Sequence, residues 1–153
     1  MRQWLMILVA ALSCALAGCV TEDEPEGADL HVGDRVPEFS VTLDDGRVFG
    51  SALLKSGTGH ILFFNTDCPD CRRELPVMQK LYDSLPEQEK ARFACISRDE
   101  DDASIAAYWK TNSLTMPYSA QPDRRIFNLF ATYTIPRLYI TRNGAITEIQ
   151  VLE

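Results

Sequence analysis

Cys68-Pro69-Asp70-Cys71 holds the residues of this chain best suited to chemistry. Two thiols separated by two residues can close a disulfide across one helical turn, and the thiolate is the species that attacks another disulfide. Before the motif, Ile61-Leu62-Phe63-Phe64 is a continuous apolar run that ends at Asn65-Thr66-Asp67. After it, Leu75, Met78, Leu81, Tyr82 and Leu85 recur at helical spacing. A strand buried on both faces therefore delivers the chain to an amphipathic helix that starts at the motif. Unpaired N–H groups and partial positive charge at a helix N-terminus favour a thiolate, which makes Cys68 the candidate nucleophile. Cys71, one turn further in and more buried, is then the residue that resolves a mixed disulfide. The same spacing fits half of a zinc site or two inert core cysteines. Zinc needs further ligands, and beyond the pair the domain offers only Cys95, His31 and His60, so no metal is assigned.

The rest of the chain supplies the elements that must hold this motif. Val41-Thr42-Leu43 and Arg47-Val48-Phe49 flank Asp45-Gly46, a strong hairpin signal. Arg92 to Ser97 reads as a second central strand, and Asp101 or Asp102 can cap a helix through Ile105, Tyr108 and Trp109. Met116-Pro117-Tyr118 is a short extended piece, and Asp123 can cap a brief helix through Ile126 and Phe130. Leu138 to Thr141, the Asn143-Gly144 turn, and Ile146 to Leu152 form a closing hairpin. Pro76 lies inside the helix after the motif and is expected to kink it.

The 153 residues suffice for one domain with a sizeable core. Asp and Glu number 22 against 15 Lys and Arg, a net charge of −7, and the basic residues form no stripe, which argues against nucleic acid as a partner. The N-terminus reads separately. Arg2 and the apolar run from Trp4 to Ala17 form an export signal, too short for a membrane-spanning helix. Leu16-Ala17-Gly18-Cys19 resembles the bacterial lipobox, which implies cleavage after residue 18 and a lipid on Cys19. Residues 1–18 are then signal peptide, 19–30 an acidic flexible tether, and 31–153 the domain. The expected location is the cell envelope, on the periplasmic side or the cell surface, with Val20 after Cys19 pointing to the outer membrane. Export leaves Cys68, Cys71 and Cys95 in the domain, and one close pair plus a lone thiol fits redox work better than an even structural framework.

Together these features resemble the TlpA/ResA branch of thioredoxin-like proteins, the extracytoplasmic thiol-disulfide oxidoreductases, over roughly Val32 to Glu153. The residues that carry the resemblance are Gly33, Pro37 and Phe39, Phe63-Phe64 before the site, the Cys68 to Cys71 motif, Glu74 and Pro76 after it, and Ile135-Pro136 before Leu138-Tyr139-Ile140. The resemblance implies an α/β thioredoxin-like fold, with a central mixed β-sheet flanked by helices and an N-terminal β-hairpin extension. It also implies that Pro136 is cis and faces the dithiol, that Ile135 offers backbone groups to an extended substrate beside Pro69 and Asp70, and that Glu74 serves Cys71 as a general base. The partners implied are protein disulfides or thiols and a membrane or periplasmic thiol electron donor. No cofactor besides the Cys68–Cys71 dithiol is implied.

Several positions depart from that pattern. Asp67 replaces the usual Trp, Asp70 lies inside the motif, and both carboxylates oppose a thiolate, with Arg72 and Arg73 as partial offsets. The balance leans towards a reductase. Arg137 stands where a Thr is usual, and Glu153 ends the chain on the last strand without the family's C-terminal helix, which leaves apolar surface for a partner to cover. Three other readings compete. A peroxiredoxin motif wants Pro and Thr where this chain has Ile61 and Asn65. A copper chaperone resembling the SCO group needs a late histidine that His31 and His60 do not provide. A redox-inert lipoprotein would use the pair as a structural bond.

Overall fold

The computed structural model describes residues 29–152, so the expected signal peptide, Cys19 and most of the acidic tether lie outside the described residues. The first elements are β1 (Ser40–Thr42) and β2 (Val48–Gly50), an antiparallel hairpin that turns through Gly46 at φ 84°. A four-residue helix, α1 (Ser51–Leu54), leads to β3 (Thr58–Phe64). The dithiol helix α2 (Pro69–Ser84) and the short α3 (Glu87–Lys90) follow, then β4 (Phe93–Ser97), α4 (Asp102–Thr111) and β5 (Tyr118–Ser119). The chain ends with α5 (Arg125–Asn128), β6 (Arg137–Arg142) and β7 (Ala145–Val151). The main sheet has the order β5-β4-β3-β6-β7, parallel across β3, β4 and β5 and antiparallel at β6 and β7. This is the thioredoxin-like mixed sheet flanked by helices, with the expected hairpin on its N-terminal side.

Alternation along β3 decides what covers each sheet face. Phe64 points to one face, where its ring lies 5.0 Å from Trp109 of α4. On the same face Tyr82 of α2 packs at 5.0 Å against Phe93. Phe63 points to the other face, onto Phe127 at 5.4 Å, Phe130 at 5.0 Å and Tyr139 at 6.0 Å. Phe39 of the hairpin side closes that cluster through Phe130 and Phe49. Every residue from Gly59 to Phe64 is buried, which explains why β3 reads as an unbroken apolar run. At Gly59 the chain packs closely, since an added Cβ would meet the side chains of Leu54 and Thr141.

Pro76 lies within α2, which runs from Pro69 to Ser84. Two local expectations change. Arg124, not Asp123, is the cap residue of α5, although Asp123 Oδ1 still accepts the Arg125 N–H at 2.9 Å. Asp29 and Leu30, the last two residues of the expected tether, are bound to the domain: Leu30 N–H donates to Phe130 O at 3.0 Å, and Asp29 Oδ1 accepts the Thr132 N–H at 3.0 Å. Because Phe63 joins β3, α5 and β6 in one cluster, Phe63→Ala is expected to lower stability by about 3–5 kcal/mol. Urea unfolding should show a lower midpoint at unchanged slope.

Candidate functional site

The site is built where β3 ends, and the first requirement there is to satisfy a buried turn. Thr66 is only 5% exposed. Its N–H donates to Glu100 Oε2 at 2.8 Å, its hydroxyl donates to Glu100 Oε1, and its carbonyl accepts from Arg72 Nε. Asn65 completes the turn. Its Oδ1 accepts the Asp67 N–H at 2.7 Å, its carbonyl accepts the Cys68 N–H at 3.2 Å, and its Nδ2 donates to Arg98 O at 3.0 Å. The residue that stands where a peroxiredoxin would carry threonine thus serves as a turn-former.

Cys68 emerges from this turn as the N-cap of α2, with extended backbone, and Pro69 occupies the first helical position where no N–H is needed. The Cys71 N–H points at Cys68 Sγ, 3.5 Å away, so a helix-terminal donor meets the sulfur that would carry negative charge. Cys68 is half-buried, and its thiol also lies 3.8 Å from the Ile135 carbonyl. The Ile135–Pro136 bond is cis, and both residues are buried beside the dithiol. The two sulfurs are free thiols with unlike surroundings. Cys71 is fully buried, and burial pushes its thiol well above the usual range, with its neighbour Cys68 adding to the shift. Cys95, also fully buried, is shifted the same way by burial and sits 3.9 Å from the Met116 sulfur, remote from the pair in its bonding.

The charges around the motif pair off locally. Asp70 bonds Arg73 at 2.7 Å and Asp67 approaches Arg72 at 3.5 Å, so each carboxylate that opposes a thiolate is met by an arginine of α2. These pairs are exposed and contribute little to stability, but they localise the charge. Glu74 is half-buried one turn beyond Cys71, and among the described residues it makes no hydrogen bond to either sulfur. Arg137 extends onto the Phe63 face, where its Nη1 reaches Tyr139 Oη at 3.5 Å. Of the site residues read from sequence, the structure gathers Cys68, Cys71, Pro69, Asp70, Ile135 and Pro136, and sets Glu74 nearby on the same helix. Glu100, Thr66, Arg98 and Arg124 escaped sequence reading. The bonds that link Thr66 to Glu100 and Arg98 to Tyr133 span more than thirty residues, and Arg98-Asp99-Glu100-Asp101 reads locally as a solvated turn. Of the three cysteines in the domain, iodoacetamide on the reduced protein at neutral pH is expected to label Cys68 alone, with Cys71 and Cys95 reacting only at alkaline pH, as read by peptide mass spectrometry.

Comparison with known proteins agrees with this geometry. The AhpC/TSA family model matches residues 32–149. The thiol-disulfide oxidoreductase ResA of Oceanobacillus iheyensis is 29% identical over 150 residues, which covers 95% of this chain and 76% of the relative. ResA of Bacillus cereus is 23% identical over 145 residues, with 94% and 82% covered. Among solved structures, a thiol:disulfide interchange protein of the thioredoxin family from Chlorobium tepidum superposes with a TM-score of 0.61 at 28% identity, over 81% of this chain and 88% of that one. StoA from Bacillus subtilis shares the fold at a TM-score of 0.65 and 20% identity, over 76% and 88%. The chain thus belongs to the AhpC/TSA family, and within it stands with the ResA/TlpA-like thiol-disulfide oxidoreductases of thioredoxin fold.

Proposed function

We propose that this protein reduces disulfides of other proteins outside the cytoplasm, with Cys68 as attacking thiol and Cys71 as resolving thiol. The observation that carries this reading is the asymmetry of the pair: Cys68 is half-buried at a helix N-terminus facing the Ile135 carbonyl, while Cys71 is fully buried behind it. The Cys68 thiolate attacks one sulfur of a substrate disulfide and displaces the other as a thiolate, which takes a proton from water. Cys71, once deprotonated, attacks Cys68 Sγ and releases the second substrate thiolate. The substrate gains two electrons, and the pair becomes the Cys68–Cys71 disulfide, which a thiol donor in the membrane or periplasm reduces again. Burial makes the Cys71 proton the hard one to remove. Glu74, half-buried on the next turn, is the carboxylate we assign to accept it through solvent. Pro69, Asp70, Ile135 and Pro136 frame the surface where an extended substrate segment would lie against Cys68.

Cys71→Ser is expected to trap substrate proteins as mixed disulfides on Cys68, seen as reductant-sensitive adducts, and Cys68→Ser to trap none. A Cys68–Cys71 potential below about −300 mV together with an empty trap would overturn the reading in favour of a structural bond. Envelope location rests on Arg2, the apolar run to Ala17, and Leu16-Ala17-Gly18-Cys19. With palmitate labelling in cells, the full chain should take up label and partition with membranes, and Cys19→Ser should do neither. Labelling of Cys19→Ser equal to wild type would remove the lipid anchor.

A further inference from the structure

Arg98 touches the dithiol site from two sides. Its backbone is fixed at the end of β3, where its N–H donates to Phe64 O at 2.8 Å and its carbonyl accepts from Asn65 Nδ2, the residue that shapes the turn into Cys68. Its side chain runs the other way, over the buried ring of Phe127 with the guanidinium carbon 5.2 Å from the ring centre, and donates to the Tyr133 carbonyl. Arg124 lies over the same ring at 5.5 Å and donates to the Thr132 carbonyl at 2.7 Å. Two consecutive carbonyls of the loop that ends at Ile135 are therefore held by two guanidinium groups gathered on one aromatic ring. That loop presents the Ile135 carbonyl to Cys68 Sγ.

The charge of Arg98 also differs in kind from its neighbours'. On α2, Asp70 is matched by Arg73 and Asp67 of the preceding turn by Arg72, with Glu74 half-buried beyond them. On the loop after β4, Glu100 is taken up by Thr66, and Asp99 and Asp101 are exposed. Arg124 comes from the α5 side and Arg137 from β6, where it turns to Tyr139. Among the described residues Arg98 forms no ion pair, and its half-buried guanidinium lies within electrostatic reach of both Cys68 and Cys71. A cation withdrawn from water and unmatched by a carboxylate acts further than an exposed, paired one.

We propose that Arg98 is a positioning residue of the dithiol, which steadies the loop beside Cys68 and supplies the unmatched positive charge that favours the Cys68 thiolate. The proposal rests on Cys68 being the attacking thiol, and the measurement that decides it does not require turnover. The rate of Cys68 alkylation is followed against pH in the reduced full chain, alongside Arg98→Gln, Arg98→Lys and Arg124→Gln. In Arg98→Gln the midpoint of the profile should rise by about one pH unit, with alkylation about tenfold slower below it. Arg98→Lys should keep the midpoint but lose about tenfold in disulfide exchange, because a point-like ammonium does not reproduce the flat guanidinium on Phe127 and Tyr133. Arg124→Gln, which touches the loop but neither sulfur, should leave the midpoint in place. An unchanged midpoint in folded Arg98→Gln overturns the proposal. Should that variant not fold, an Arg98→Lys midpoint raised by about one pH unit above wild type overturns it instead. Wild-type protein that exchanges no disulfide would defeat the proposed function alone, since the alkylation profile judges Arg98 regardless.

Discussion

A strand buried on both faces cannot simply stop inside a protein, because the backbone groups of the turn that ends it must find partners or carry an unpaid desolvation penalty. At the end of β3 that requirement falls on Thr66, and the partner is the carboxylate of Glu100, from a loop far away in sequence. Once Thr66 is held, Asn65 can shape the turn and Cys68 arrives at the first turn of α2 with extended backbone and its sulfur facing an N–H. The dithiol geometry is a consequence of satisfying one buried turn.

From that anchor the two cysteines acquire different chemistry without any difference in residue type. Helical geometry places Cys71 one turn inward, among the apolar residues that dock α2 on the sheet, and burial holds its proton. Cys68 keeps contact with solvent and with a helix-terminal donor. The aspartates that look adverse in the motif are each met by an arginine on the same helix, so the local charge is nearer balance than the bare motif implies.

The second wall of the site depends on a separate set of contacts. The loop from Thr132 to Ile135 has no regular structure of its own, and it is held through its carbonyls by Arg98 and Arg124 and through Thr132 by Asp29. Phe127 underlies both arginines and also packs on Phe63, so the aromatic core of one sheet face is continuous with the support of the active-site loop. Stability and site geometry share those residues.

Much of this was legible from local pattern. The apolar run of β3, the helical repeat after Cys71, the Asp45-Gly46 and Asn143-Gly144 turns and the Cys-x-x-Cys spacing each express a short-range rule, so the sequence alone determined most of the element order and the two sulfurs, and its resemblance to the TlpA/ResA branch implied the fold class. The four-residue helices α1 and α3 carried no such pattern, being too short for periodicity to mark them. What only the tertiary structure decided is which distant groups meet the dithiol. Glu100 under Thr66, Arg98 on Tyr133 and Asp29 on Thr132 are contacts across 34, 35 and 103 residues. No local propensity encodes such pairs, because their partners become neighbours only after β3, β4 and β6 have been laid side by side in the sheet.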